Sequence, residues 1–229
     1  MTDPGMTIAQ QVAERASKQS PTPASERYRA EQLTLANTRP PSTVMAVGSV
    51  FPDGDLIDAE GNPTTLRATL NGAPGVLIFY RGAWCPYCNI ALRTYREQVA
   101  FPLAQLGVAL VALSPQKADG SMTMKEKHEL EFPVLSDPGN QIAGTLGILT
   151  RPSDGARQSQ LENGLDIEAV NADGTTTLPM PTVALVDTHG ILVWIDVHPD
   201  HTTRTEPAEI LAAVHANFNT TPPDDVEAR

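Results

Sequence analysis

The chain has 229 residues, 41% hydrophobic and 19% charged, and carries a formal net charge of −11. That length supports one sizeable core with extensions, and the acidic balance argues against nucleic acid or an anionic membrane surface as a partner. No apolar run approaches the ~20 residues needed to span a bilayer. Residues 1–20 are polar and lack the apolar segment of a secretory signal, so a cytoplasmic location is expected.

Residues 1–45 are rich in Ala, Gln, Ser, Thr and Pro. Ile8, Val12 and Ala16 line one side of a short predicted helix, and a second is predicted from Ser25 as N-cap to Ala36, with Glu26 in its first turn. This N-terminal helical extension reads as a peripheral appendage or a dimer arm, which makes a homodimer a candidate assembly. Residues 46–72 read as a β element broken at Asp53-Gly54 and Gly61-Asn62-Pro63. Gly75–Tyr80 is a predicted buried strand. A long helix follows, with Cys88, Leu92, Tyr95, Val99, Leu103 and Leu106 on one stripe and a kink or stop at Pro102. Val108–Leu113 is a second buried strand, so the pair flanking the helix predicts a right-handed βαβ unit in a covered parallel sheet. Ser121 is expected to cap a helix over Met122–Glu131, followed by a short strand at Pro133–Leu135 and a short helix at Gln141–Leu146. Residues 151–178 read as loop-rich, with a helix near Gln158. Val183–Val186 and Ile191–Val197 alternate around Asp187-Thr188-His189-Gly190, a hairpin signal. A last helix starts near Thr205, with Ile210, Leu211, Val214 and Phe218 as its apolar stripe. The acidic tail, residues 219–229, is expected to fray.

Chemistry concentrates at Cys85-Pro86-Tyr87-Cys88, which holds the only two cysteines of the chain. They sit where strand gives way to helix, with Pro86 in the first turn, where its missing N–H costs nothing. A helix N-terminus carries partial positive charge and unpaired N–H groups. Cys-x-x-Cys motifs there lower a thiol pKa from about 8.5 to roughly 3.5–7.5. Cys85 is therefore expected to be the attacking thiolate. Cys88, one turn deeper on the same face, is expected to resolve a mixed disulfide or sulfenic acid formed on it. A structural disulfide closing so short a loop would remove little chain entropy, and a zinc site lacks further cysteines. Two reactive thiols suit a reducing compartment. His198-Pro199-Asp200-His201 has the residue types of a metal site, but the loop reading is preferred.

The order β–α–β–α–β–β–α with Cys-x-x-Cys opening the central helix resembles the thioredoxin fold. More narrowly it resembles the peroxiredoxin-like branch of the alkyl hydroperoxide reductase/thiol-specific antioxidant family. The matching pieces are 79–89 around the cysteines, 111–115, 132–137, 178–182 and 187–190, and the likeness extends over about residues 46–216. The resemblance implies an α/β domain at 46–218, a central mixed sheet flanked by helices. It implies a thiol-dependent antioxidant oxidoreductase that reduces peroxides and is recycled by a thioredoxin or a low-molecular-weight thiol, with no cofactor. The alternatives are a thioredoxin- or glutaredoxin-like protein disulfide oxidoreductase, and, outside enzymes, a redox sensor or an iron–sulfur-binding module.

The resemblance also places Met180-Pro181-Thr182 where the fold carries a cis-proline facing the sulfurs, leaving the Met180 backbone open to an extended substrate; a trans proline starting an edge strand is the ordinary reading. The chain departs from the peroxiredoxin pattern at Ile78, where the family has Pro, at Gly82, where it has Thr or Ser, and at Pro181, where it has Arg. A substitute cation is sought among Arg81, Arg93, Arg96 and Arg204. Trp84 is expected to shield the Cys85 thiol, and Tyr80 and Tyr87 are candidate O–H donors.

Overall fold

The computed structural model describes residues 5–218; the tail at 219–229 lies outside the described residues. In chain order the elements are α1 (Ile8–Ser17), α2 (Pro23–Leu35), β1 (Asp55–Ile57), β2 (Pro63–Thr65), α3 (Leu66–Leu70), β3 (Gly75–Phe79) and α4 (Pro86–Tyr95). A π-turn at Arg96–Ala100 leads into α5 (Phe101–Gln105), then β4 (Ala109–Ser114), α6 (Ala118–Lys127), β5 (Val134–Ser136), α7 (Gln141–Thr145) and β6 (Leu149–Thr150). The chain continues through α8 (Asp154–Glu162), α9 (Ile167–Val170), β7 (Leu178–Pro179), β8 (Thr182–Val186), β9 (Leu192–Val197) and α10 (Pro207–Phe218).

Seven strands form one sheet in the order β2-β1-β5-β4-β3-β8-β9, and β6 pairs β7 apart from it. The predicted βαβ unit is present: β3 runs parallel to β4 with Phe79 opposite Leu113. On its other side β3 pairs antiparallel with β8, Phe79 facing Thr182. Strand alternation divides the core in two. Val76, Ile78 and Tyr80 point to the face covered by α4 and α10, where Leu92, Tyr95, Ile210 and Val214 are buried. Leu77 and Phe79 point to the other face, against Leu66, Ile142 and Ala143. Both cysteines belong to the first face.

The N-terminal helices differ from the appendage expected of them. Ile8 is 1% exposed and packs in the same cluster as the cysteines, so Ile8→Ala is a core truncation costing about 2–5 kcal/mol. The head of α1 is fastened by the Glu206 carboxylate, which accepts from the Ile8 and Ala9 amides at 2.9 and 2.8 Å, the favourable placement for a negative charge. Helix α2 is capped by Thr22 rather than Ser25; Ser25 instead takes the reciprocal position of the capping box. Its partner is α8, to which Arg27 Nε donates at the Ser159 hydroxyl (2.7 Å), with an ion pair from Arg27 to Glu162.

Three further boundaries move for local reasons. The kink at Pro102 is spread into the preceding π-turn, because proline has no N–H for the carbonyl four residues back. Helix α6 begins before Ser121, whose buried hydroxyl pairs with that of Ser136 at 3.1 Å instead of capping. In residues 151–178 the helix expected near Gln158 is present as α8, and a second, α9, stands where loop was expected.

Candidate active site

Strand β3 runs into a tight turn that delivers Cys85 to the head of α4. Gly82 turns the chain at φ +152°, and a Cβ there would sit 2.4 Å from the Trp84 indole nitrogen, so the position admits only glycine without rearrangement. Gln116 holds the turn from β4's side: its Oε1 accepts from the Ala83 amide at 2.9 Å, and its Nε2 donates to the Tyr80 hydroxyl at 3.0 Å. Asn89 Nδ2 donates to the carbonyls of Ala83 and Cys85, both at 2.7 Å. His128 in turn bonds Asn89 Oδ1 at 2.6 Å.

Cys85 is the N-cap of α4, with extended backbone and Pro86 following it, but its side chain accepts no capping hydrogen bond. Both cysteines are free thiols and both are buried, at 1% and 0% exposure. The sulfur that meets a cation is Cys88: Arg204 Nη2 approaches it to 3.1 Å. Burial opposes charge on either sulfur, but the hydrogen bond from the Cys85 thiol, then Arg204 and Arg81, bring Cys88 well below the ordinary thiol range. Burial, followed by the hydrogen bond to Cys88 and its charge, pushes Cys85 well above that range. Within the pair the surroundings thus favour charge on Cys88 over charge on Cys85. That order is the opposite of the one expected from helix position alone. The reason is that a guanidinium in contact and a neighbouring S–H outweigh the head of a helix to which Cys85's sulfur is not bonded.

Of the four arginines considered, Arg204 reaches a sulfur. Arg81 is buried beside it, its guanidinium carbon 5.1 Å from the centre of the Trp84 ring. Arg93 donates to Gln11, and Arg96 pairs with Glu129 and the His128 carbonyl. Arg204 is itself placed by Nη1, which donates to the carbonyls of His201 and Thr203. Tyr80 is wholly buried behind the motif, with burial raising its pKa. Tyr87 is half-buried, its ring 6.3 Å from that of His201.

The 180–182 segment departs from expectation. No described peptide bond is cis, so Met180–Pro181 is trans, and β8 lies between β3 and β9 rather than at an edge. Nor is the Met180 backbone open to a substrate chain. Its amide donates to the Ile148 carbonyl at 2.7 Å and its carbonyl accepts from the Thr182 hydroxyl at 2.9 Å, both satisfied by the β6–β7 ladder and the turn beyond it. Met180 packs in the cluster on the opposite sheet face from the cysteines. His198 pairs with Asp196 and Thr203. Among the described residues no group of three or more His, Cys, Asp or Glu is arranged to hold a metal ion.

Cys85, together with Arg81, Trp84, Pro86 and Tyr87, forms the floor of an open cavity of about 1060 Å³. Its walls come from α1, α2 and α8, through Arg15, Arg29 and Gln160 among others. Sequence reading missed these three residues. Each lies 50 or more positions from Cys85 in the chain, and none stands in a motif; the packing of α1 on α4 and of α2 against α8 brings them to the cavity.

A mixed sheet with Cys-x-x-Cys at the head of its first central helix defines a thioredoxin-fold thiol protein. The model of the AhpC/TSA family matches residues 47–195. The chain belongs to that family. Over 107 residues it is 30% identical to peroxiredoxin Q of the Sedum lineare chloroplast, covering 47% of this chain and 55% of that one. Over 110 residues it is 29% identical to the thiol-disulfide oxidoreductase ResA of Bacillus thuringiensis, covering 48% and 62%. The chain thus spans between half and two thirds of the length of these relatives. The crystal structure of peroxidoxin BcpB from Mycobacterium tuberculosis superposes with a TM-score of 0.57 at 21% identity, over 78% of this chain and 99% of that one, a likeness of fold. No described helix is long and apolar enough to cross a membrane.

Proposed function

We propose that the protein is a thiol-dependent peroxidase of a reducing compartment such as the cytoplasm, using Cys85 as the attacking sulfur and Cys88 as the resolving one. The observation that carries this reading is the pairing of an Arg204-bound Cys88 with a Cys85 that lines an open cavity. The Cys88 thiolate takes the proton of Cys85, and the Cys85 thiolate that results lies near Arg81. It attacks one oxygen of a hydroperoxide; the O–O bond breaks, the sulfur becomes a sulfenic acid, and the leaving alkoxide takes the proton back from Cys88. Cys88, again a thiolate, then attacks the Cys85 sulfur. The S–S bond forms and hydroxide leaves, becoming water with a solvent proton. Two external thiols return the pair to its reduced state.

A second reading, disulfide exchange without peroxide, is favoured by Gly82 standing where the peroxiredoxin pattern has a hydroxyl, and by the ResA-like stretch. Stopped-flow oxidation of the reduced protein by hydrogen peroxide and by an organic hydroperoxide separates the two. Rates well above those of a free thiol support the peroxidase; rates no better than a free thiol overturn it and leave the exchange reaction.

A further inference from the structure

The cavity above Cys85 carries features that the peroxide reaction does not use. The chain is acidic overall, at −11, yet this lining presents Arg15, Arg29 and Arg81 against a single carboxylate, Glu26. Among the described residues none of the three arginines takes part in an ion pair. Deeper in, polar atoms stand buried without partners: Arg81 Nε, Trp84 Nε1, and both the nitrogen and the oxygen of the Gln160 amide. Gln160 is 2% exposed and Arg81 is 6% exposed. Leaving both the donor and the acceptor of an amide bare is destabilising, and a fold tolerates that where a ligand supplies the missing bonds.

Access decides the size of that ligand. A protein partner has to bring its own sulfur against Cys85, which is 1% exposed beneath walls made by α1, α2 and α8. A cavity of about 1060 Å³ is of the size of a small-molecule site.

Building on the peroxidase reading, we propose that this cavity binds the recycling reductant, and that the reductant is a small carboxylate- and amide-bearing thiol rather than a thioredoxin-type protein. Its thiolate attacks the Cys85 sulfur of the Cys85–Cys88 disulfide. A mixed disulfide forms on Cys85, and Cys88 leaves as the thiolate that Arg204 receives at 3.1 Å; a sulfur so stabilised is a fast leaving group. A second thiol, as thiolate, attacks the small-molecule sulfur of that mixed disulfide. It releases the oxidised small disulfide and a Cys85 thiolate, which takes up a proton.

The test uses the full-length protein oxidised with diamide, so that it does not depend on peroxide chemistry. Loss of both free thiols with no added mass beyond an internal disulfide is required first; if the disulfide does not form, the peroxidase reading itself fails. Reduction is then followed with glutathione, with cysteamine, which is cationic and lacks carboxylates, and with a bacterial thioredoxin, each rate expressed per thiolate. Glutathione is expected to be faster than cysteamine by about tenfold or more, the scale of electrostatic focusing in a lined cleft, and faster than thioredoxin. The Arg15→Gln/Arg29→Gln pair, both exposed positions, is expected to erase that preference. Gln160→Met, of similar volume and without the bare amide, is expected to weaken saturation by glutathione without lowering the thermal midpoint. Equal rates for the two small thiols, or a faster thioredoxin, overturn the assignment while leaving the disulfide chemistry standing. A preference for a carboxylate-bearing over a neutral hydroperoxide during oxidation, with no preference among thiols, also overturns it, and makes the cavity a peroxide site.

Discussion

Arg204→Met removes the cation that touches Cys88 and leaves a side chain of comparable length. The wild-type contact is 3.1 Å from Nη2 to sulfur, and hydrogen bonds to charged groups contribute about 1.5–3 kcal/mol. At about 1.4 kcal/mol per pH unit, that loss raises the lower apparent pKa of the dithiol by about 1–2 units. The bond from the Cys85 thiol and the charge of Arg81 remain, so the lower end of the range is expected. Arg204→Lys keeps the charge but not the planar fork, and should shift the titration less. The assay is the pH dependence of iodoacetamide alkylation of the reduced protein, paired with ultraviolet absorbance of the thiolate. Arg204 also ties down the carbonyls of His201 and Thr203, so an unfolding curve for each variant separates lost charge from a loosened loop. A folded Arg204→Met whose titration midpoint stays at the wild-type value would refute the argument that this guanidinium sets the charge of the pair.

Two other outcomes follow from the same geometry. Gly82→Ala places a methyl 2.4 Å from the Trp84 indole nitrogen at a backbone angle of φ +152°, and denaturant unfolding should show a loss of about 1–3 kcal/mol; a loss below that range would mean the turn relaxes freely. His201 is pushed down to about 2 from 6.5 by burial first, then by Arg81 and Arg204, although the Glu31 carboxylate lies 3.7 Å from its ring. Its folded pKa lies below its unfolded one, so the unfolded chain binds the proton first. The neutral imidazole's contribution is intact above pH 6.5 and is lost as pH falls through the window down to about 2. By about pH 4.5 this amounts to roughly 2–3 kcal/mol. Wild type should lose that much more stability than His201→Asn over the interval; parallel curves, or a smaller loss in wild type, would mean that Glu31 holds the ring charged.

Much of the scaffold was legible because it is local. The apolar run before Gly82, the helical stripe after Cys88 and the Asp187–Gly190 turn each depend on neighbours within a few residues, and each is found where the pattern puts it. The charge of the pair was not legible, because it depends on Arg204, which is 116 residues from Cys88 and looks in sequence like any other arginine. The cavity was hidden for the same reason. Residues 151–178 carry three Gly-containing turn signals that blur the bounds of α8 and hide α9, and α8 acquires its role only by packing against α2. The cis-proline expectation came from family likeness, and it failed where this chain places the Met180 amide in a ladder with Ile148. Of the motif's neighbours, Asn89 stood beside the cysteines in the sequence, but its clamp on the Ala83 and Cys85 carbonyls becomes visible only in the folded turn.

The claim on which the rest stands is that the cavity-facing sulfur reacts and the Arg204-bound sulfur resolves, even though the surroundings favour charge on the latter. Each single variant, Cys88→Ser and Cys85→Ser, is treated with one equivalent of hydrogen peroxide in the presence of dimedone and read by mass spectrometry. The account predicts a dimedone adduct on Cys85 in the first variant and little or none on Cys88 in the second. An adduct on Cys88 in Cys85→Ser, with none on Cys85 in Cys88→Ser, would contradict it and exchange the two roles.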